Sequence, residues 1–148
     1  MSDQALAHAA ERVARAELAN ASVRDARVEP LDRVAAAERA PYDVIVTFDV
    51  LHDAADPAGL IRQARAALRP DGAGVWLLAD VAGEDGVRAN VRANAAASTM
   101  LAFSTCLCMS CALSEEGGAG LGTLGFSTAV AKEMLGAGGF GRVRVLLE

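Results

Sequence analysis

The chain has 148 residues, the length of one domain, and its 53% hydrophobic and 22% charged composition excludes a disordered protein. The net charge is −5 and the arginines are scattered along the chain, so no basic patch predicts nucleic-acid binding. Cys106, Cys108 and Cys111 form an odd, clustered set that is a poor disulfide framework, and no signal peptide is visible, so we expect reduced thiols and a cytoplasmic location.

Apolar periodicity and capping residues predict alternating helices and strands. The predicted elements, in chain order, are a helix over 3–18, a short strand over 21–23, a helix over 31–39, a central strand from 44, a helix over 57–68, a strand over 75–79, an uncharged helical segment over 93–114, a helix over 128–135 and a last strand over 143–147. The segment 93–114 is long enough to span a membrane, but its small and polar residues favour a buried helix or helix pair.

The stretch 42–53 is the centre of the predicted fold. Residues 44–46 are three β-branched side chains without polar alternation, which predicts a strand covered by helices on both faces. The spacing of this strand, the following helix and the strand over 75–79 predicts a right-handed parallel βαβ unit. The fold class is therefore α/β.

Polar residues follow both strands of this unit. Asp49 and His52 come directly after the central strand, and Asp80 closes the next one. Because ligands bind at the carboxyl ends of strands in open α/β sheets, we expect Asp49 and His52 to line a site, with Asp80 a weaker candidate. A histidine there is able to orient or deprotonate a nucleophile. For Asp53 we favour the plainer interpretation that it turns the chain before the next helix.

The run from Gly120 to Gly125 matches the pattern G-x-G-x-x-G. In a dinucleotide-binding protein a strand leads directly into this loop and delivers it to the pyrophosphate. Here the preceding residues, 114–118, do not form a strand pattern. We therefore interpret the run as a flexible loop or lid.

The cysteine pattern raises the possibility of a metal site. On a helix, Cys106 and Cys108 point about 200° apart and cannot share one ion. The histidines, His8 and His52, are both distant in sequence. We therefore predict no metal site, with the thiols as small core-filling groups.

The ordered set of segments 42–52, 56–57, 68–72 and 75–80 resembles the second half of a class I S-adenosylmethionine-dependent methyltransferase. The stretch 98–126 resembles a subgroup in which a winged-helix segment precedes the methyltransferase domain. The resemblance implies one methyltransferase-like domain over 1–148, with a partial Rossmann-like sheet and helices on both faces.

The resemblance also implies S-adenosylmethionine as the cofactor and assigns roles to individual residues. Asp25 corresponds to the acid that accepts a hydrogen bond from the adenine amino group. Asp49 and Val50 correspond to the end of the fourth strand, beside the methionine part of the cofactor, and His52 faces the substrate. The helical segment over 93–113 would form the pocket wall, and the substrate-pocket candidates are Asp80, Met100 and Phe103.

Some parts of the family's pattern are not found in the sequence. They are the glycine-rich loop after the first strand, the acid after the second strand that holds the ribose, and the seventh strand. In the family's strand order, 3-2-1-4-5-7-6, the strands found here leave only the fourth and fifth as neighbours. We therefore expect an apparently truncated domain whose open strand edges re-pair or are filled by another chain.

The function expected from the resemblance is methyl transfer from S-adenosylmethionine to an oxygen, nitrogen or carbon atom of a small molecule. The alternative is a non-catalytic methyltransferase-fold fragment that acts as an assembly partner or is a remnant. The expected partners are a small-molecule substrate and either a second copy or a complementing N-terminal half, with neither nucleic acid nor membrane. Without the glycine loop and the ribose acid, we expect the isolated chain to bind the cofactor weakly or not at all.

Overall fold

A computed structural model describes residues 2–146 and shows a two-stranded parallel sheet packed against helices. In chain order the elements are α1 (Asp3–Arg15), α2 (Leu31–Glu38), β1 (Val44–Phe48), a 3₁₀ turn (Leu51–Asp53), α3 (Pro57–Ala67), β2 (Val75–Ala79), α4 (Val87–Ala93), α5 (Ala97–Phe103), a π turn (Ser104–Cys108), α6 (Met109–Leu113) and α7 (Thr128–Ala137).

The predicted parallel unit is confirmed. Strands β1 and β2 pair in register from Val44 opposite Val75 to Phe48 opposite Ala79, and α3 makes the crossover between them. Asp56 caps α3 by accepting a hydrogen bond of 2.7 Å from the Gly59 N–H. Such a cap satisfies one of the free donors at a helix start, and a proline at the first position suits the same turn.

Two apolar clusters join the helices to one face of the sheet. The first contains Ile45 of β1 with buried residues of α2 and α3, and the second joins Leu51 and Ile61 to Phe126 and Leu135. Trp76 of β2 packs against both clusters, so they form one continuous layer. Burial of these side chains, rather than strand pairing alone, holds so small a sheet together.

The opposite face of the sheet is exposed. Its apolar side chains, which alternate with the buried ones along each strand, are Val44, Val46, Phe48, Val75 and Leu77. The α/β class and the partial Rossmann-like sheet are thus confirmed, but within residues 2–146 the helices cover only one of the two faces. The apolar run at residues 44–46 is typical of a strand with both faces covered, but within residues 2–146 only the face that carries Ile45 is covered.

The two outer strands that the sequence predicts are not formed. Residues 21–23 and 142–146 have no regular structure, and Leu147 of the last predicted strand lies outside the described residues. Both segments have adequate strand propensity, but a strand needs a hydrogen-bonding neighbour, and β1 and β2 pair only with each other. The predictions of strands over 21–23 and over the described part of 143–147 are therefore wrong.

The segment over 93–114 is helical, but it lies largely at the surface. Phe103, Leu107 and Leu113 are more than half exposed, whereas Ala97, Ser104 and Ala112 form a narrow buried face. The expectation of a buried helix pair is therefore wrong: the uncharged composition reflects small residues rather than deep burial. Within residues 2–146 no helix combines the length and the apolar character needed to cross a membrane.

Candidate functional site at the carboxyl ends of the strands

The chain turns sharply at the end of β1. Asp49 has a left-handed backbone with a φ of 57°, and its N–H donates a hydrogen bond of 2.8 Å to the Ala79 carbonyl. Aspartate is among the few non-glycine residues that tolerate this conformation, and such conformations concentrate at functional sites. The 3₁₀ turn that follows directs Leu51 and His52 into the protein, while the Asp49 carboxylate stays exposed.

His52 is held by a buried carboxylate from the neighbouring strand. Its Nδ1 lies 2.6 Å from Asp80 Oδ1, and both side chains are almost fully buried. Asp80 also accepts hydrogen bonds from the backbone N–H groups of Leu51, at 3.2 Å, and Val81, at 2.9 Å. Because both Asp80 oxygens already accept backbone N–H groups, we infer that Asp80 is the acceptor in this contact and that His52 donates through Nδ1–H.

The second nitrogen of His52 faces Asp53. The distance from Nε2 to Asp53 Oδ1 is 3.1 Å, and the Asp53 side chain is about half exposed, at 48%. Asp49 Oδ1 lies farther off, 3.6 Å from Nδ1. The structure therefore brings Asp49, His52 and Asp80 together as the sequence predicts, and adds Asp53 to the same cluster.

Cys108 completes this cluster from a distant part of the chain. The donor atoms of His52, Asp53 and Cys108 all lie within 4.8 Å of one another, and Cys108 Sγ is 3.1 Å from the Thr123 hydroxyl. Burial, followed by a hydrogen bond to Asp53, raises the pKa of the Cys108 thiol above its ordinary value. π turns often occur at functional sites. Here Cys108, the last residue of one, is the only partly buried cysteine, whereas Cys106 and Cys111 are exposed rather than core-filling.

The sequence does not reveal that Cys108 lies beside His52, because 55 residues lie between the two positions. Folding removes that distance. The visible signal was instead the density of carboxylates around His52, with Asp49 three residues before it and Asp53 directly after it.

The glycine-rich segment is packed against this site. Gly122 donates its N–H to the His52 carbonyl at 3.2 Å, and Ala119 donates to the Ala55 carbonyl at 2.9 Å. Gly122 has a φ of 74°, and a Cβ there would lie 2.1 Å from Ser104 Oγ. The glycine is thus required by a close approach of two segments. Residues 122–124 are buried, which differs from the flexible loop or lid expected from the sequence.

A cleft with a volume of about 660 Å³ lies elsewhere, between α4, α5 and α7. It borders the other part of the glycine-rich segment, at Leu121 and Leu124, and contains none of the His52 cluster. Met100 and Phe103 do not line it. Met100 accepts a hydrogen bond from the Asn94 amide at 3.4 Å, and Phe103 is 56% exposed. Because Asp80 is bonded to His52 instead, the three substrate-pocket candidates do not meet at one place.

Asp25 lies outside the cluster and is engaged with Arg27. Its carboxylate accepts hydrogen bonds of 2.7–3.0 Å from the Arg27 guanidinium and one of 2.9 Å from the Arg27 backbone N–H. These bonds lower the pKa of Asp25 to about 2. Val50, by contrast, is 39% exposed beside Asp49 at the sheet edge. Of the proposed cofactor residues, only Asp49 and Val50 are therefore close together.

The fold and this polar edge define an α/β protein whose ligand site would lie at the carboxyl ends of parallel strands. Residues 1–73, which include β1, the His52 turn and all of α3, match the family described as a methyltransferase domain. The match covers 73 of the 148 residues. A search of curated proteins gave no match.

Proposed function

We propose that this chain takes part in methyl transfer from S-adenosylmethionine to a small molecule. The observation that carries the proposal is the position of Asp49 and Val50, exposed in adjacent positions at the carboxyl end of β1, within the matched segment. This is the edge at which open α/β sheets bind ligands.

The residues at this edge fit the methionine end of the cofactor. The Asp49 carboxylate is exposed and suits an ammonium group, and Val50 offers an apolar contact next to it. Asp25 fits the adenine end less well, because its carboxylate would have to give up hydrogen bonds from Arg27. When bound, the cofactor supplies an electrophilic methyl group on a sulfonium.

His52 is the proposed proton acceptor for the methyl-accepting nucleophile. Asp80 fixes the ring with Nδ1 protonated, which leaves the Nε2 lone pair directed at Asp53. Because His52 is buried and Asp53 is half exposed, a proton from the acceptor would reach Nε2 through the Asp53 carboxylate. The site thereby supplies orientation and a proton path.

A calorimetric titration of S-adenosylmethionine into the purified chain tests this proposal. Asp49→Asn removes a charge-assisted hydrogen bond, worth about 1.5–3 kcal/mol, so binding should weaken by about tenfold to a hundredfold. Asp43→Asn is the matched control, because it makes the same chemical change at the amino end of the same strand and should leave binding unchanged. Equal effects of both substitutions would contradict the proposal.

We expect the chain on its own to bind the cofactor weakly, because no glycine-rich loop follows a strand within residues 2–146. In that case, the titration should be repeated with an added segment that carries the family's first two strands and glycine loop. Stronger binding in the mixture, sensitive to Asp49→Asn and not to Asp43→Asn, is the expected result.

A second candidate function is assembly with such a complementing segment, without catalysis. The exposed apolar face of β1 and β2 favours it, because exposed sheet faces of this composition are typical of interaction surfaces. Light scattering would then show a complex that forms equally well with and without cofactor. A homodimer of the chain alone would contradict the assignment of that face to a complementing segment.

A further inference from the structure

We propose that His52, Asp53 and Cys108 form a binding site for one divalent zinc-like cation. The inference does not depend on the proposed methyl transfer, since it rests on the donor atoms themselves and is tested by metal binding. Their donor atoms lie within 4.8 Å of one another, although the residues come from two separate segments of the chain.

The His52 ring is oriented for metal binding through Nε2. Because Nδ1–H donates to the buried Asp80 carboxylate, the lone pair of a neutral His52 lies on Nε2. Metal-binding histidines are commonly held in this way, with the other nitrogen bonded to a carboxylate that fixes the tautomer and increases ligand basicity. Asp80 is fixed in turn by the backbone N–H groups of Leu51 and Val81.

His52 Nε2 lies 3.1 Å from Asp53 Oδ1, a separation that suits two ligands of one cation. Both atoms are acceptors when the proton of a neutral His52 is on Nδ1, so a cation bound between them would satisfy both. Zinc bonds to nitrogen and oxygen of about 2.0–2.1 Å place neighbouring tetrahedral ligands about 3.3 Å apart. The observed separation is close to that spacing without any movement of the turn.

Of the three cysteines, Cys108 is the one that lies beside His52 and Asp53. The π turn directs Cys108 toward the interior, whereas Cys106 and Cys111 remain exposed. Cys108 loses its thiol proton to solvent when it binds a metal, and the Thr123 hydroxyl at 3.1 Å can then donate to the thiolate. Thr123 is itself held by a backbone hydrogen bond of 3.0 Å to Ser104 Oγ.

The donor set defines the kind of cation. One imidazole, one carboxylate and one thiolate suit zinc and similar transition metals, whereas magnesium and calcium prefer oxygen ligands throughout. With three protein ligands, a fourth position remains for water or another small ligand, as in zinc sites that are not purely structural. The half-exposed Asp53 lies on the solvent side of the site. A cation there would occupy the Nε2 lone pair and stop His52 from accepting a proton.

The test is a titration of the chelator-treated full chain with zinc chloride, followed by calorimetry, and with cobalt chloride, followed by absorption. We expect one equivalent of each metal and a thiolate-to-cobalt charge-transfer band. Cys108→Ser should remove that band and weaken zinc binding by at least about tenfold. Cys106→Ser, two residues away on the same helical segment, is the matched control and should change neither.

Asp53→Asn provides a second variant at a half-exposed position that should keep the fold, and it should also weaken zinc binding. Circular dichroism verifies folding of every variant. Absence of stoichiometric zinc binding would overturn the proposal. Binding that survives both Cys108→Ser and Asp53→Asn, or that Cys106→Ser weakens equally, would overturn it as well.

Discussion

The two ends of the same strand pair carry similar residues in different environments. At the amino end, Arg69 bridges Asp43 and Asp71, and all three side chains are exposed by more than 40%. At the carboxyl end, His52 and Asp80 are almost fully buried and every polar atom in their contact has a defined partner. Exposed pairs are screened by water and salt, whereas buried ones are costly unless they are completely bonded.

This difference explains why the carboxyl end is the candidate site. Desolvated, oriented groups can bind ligands and move protons, while exposed pairs mostly keep the surface soluble. The amino end still has a structural role, because Tyr42 and Leu68 make a parallel bridge there that closes the βαβ unit. The two ends belong to the same two strands but differ in burial. A substitution at the amino end can therefore serve as a control for the same substitution at the carboxyl end.

The largest expected effect comes from removing the buried carboxylate. Asp80→Ala leaves His52 without its partner and frees two backbone donors, which should lower the free energy of unfolding by about 3–5 kcal/mol. Asp43→Ala at the other end should leave the urea midpoint within error. Chemical denaturation followed by circular dichroism measures both. A loss of stability from Asp43→Ala as large as that from Asp80→Ala would remove the contrast between the two ends.

A smaller effect on stability is expected from the surface pair of Asp25 and Arg27, which lies at neither end of the strand pair. The pKa of Asp25 is lowered to about 2 by Arg27, from an ordinary value of 3.8. Because the pKa is lower in the folded chain than in the unfolded chain, the pair stabilises the fold at a pH above about 3.8. This stabilisation is lost as the pH falls from about 3.8 toward 2. In a carboxyl NMR titration, Arg27→Gln should return the midpoint toward the ordinary value, and added salt should raise it partway.

The salt dependence of the Asp25 pKa also shows whether the Asp25–Arg27 pair behaves like the exposed ion pairs at the amino end of the strands. A midpoint that does not change with salt would show that water and ions do not screen the Asp25–Arg27 pair. Asp25 would then resemble the buried carboxylate Asp80 rather than an exposed surface group. The wild-type chain at low salt is the reference for both comparisons.

The elements that local sequence determines were predicted well. Ser2, Asp56 and Ser127 cap three helices by accepting hydrogen bonds from the helix starts, and β1 and β2 begin where their β-branched residues begin. Capping and periodicity act over a few residues, so a single sequence contains the information. The position of Asp49 and His52 followed from the rule that parallel strands end at the same edge.

Features that depend on distant partners were predicted poorly. The expected strand over 21–23 has no neighbour with which to pair, and the outer face of the sheet has no helix on it within residues 2–146. Cys108 reaches His52 only because the π turn and the packed glycine segment place it there. No local pattern encodes such contacts, so they become visible only in the folded chain.

The most direct test of the central claim is an amide NMR titration with S-adenosylhomocysteine, which tolerates weak binding. If the carboxyl end of the strand pair is the ligand site, shifts should concentrate at Asp49, Val50 and Asp53 and spare Asp43 and Val75 at the amino end. Shifts centred on the amino end or on the cleft between α4 and α7, or none at millimolar ligand even with the complementing segment added, would contradict the account.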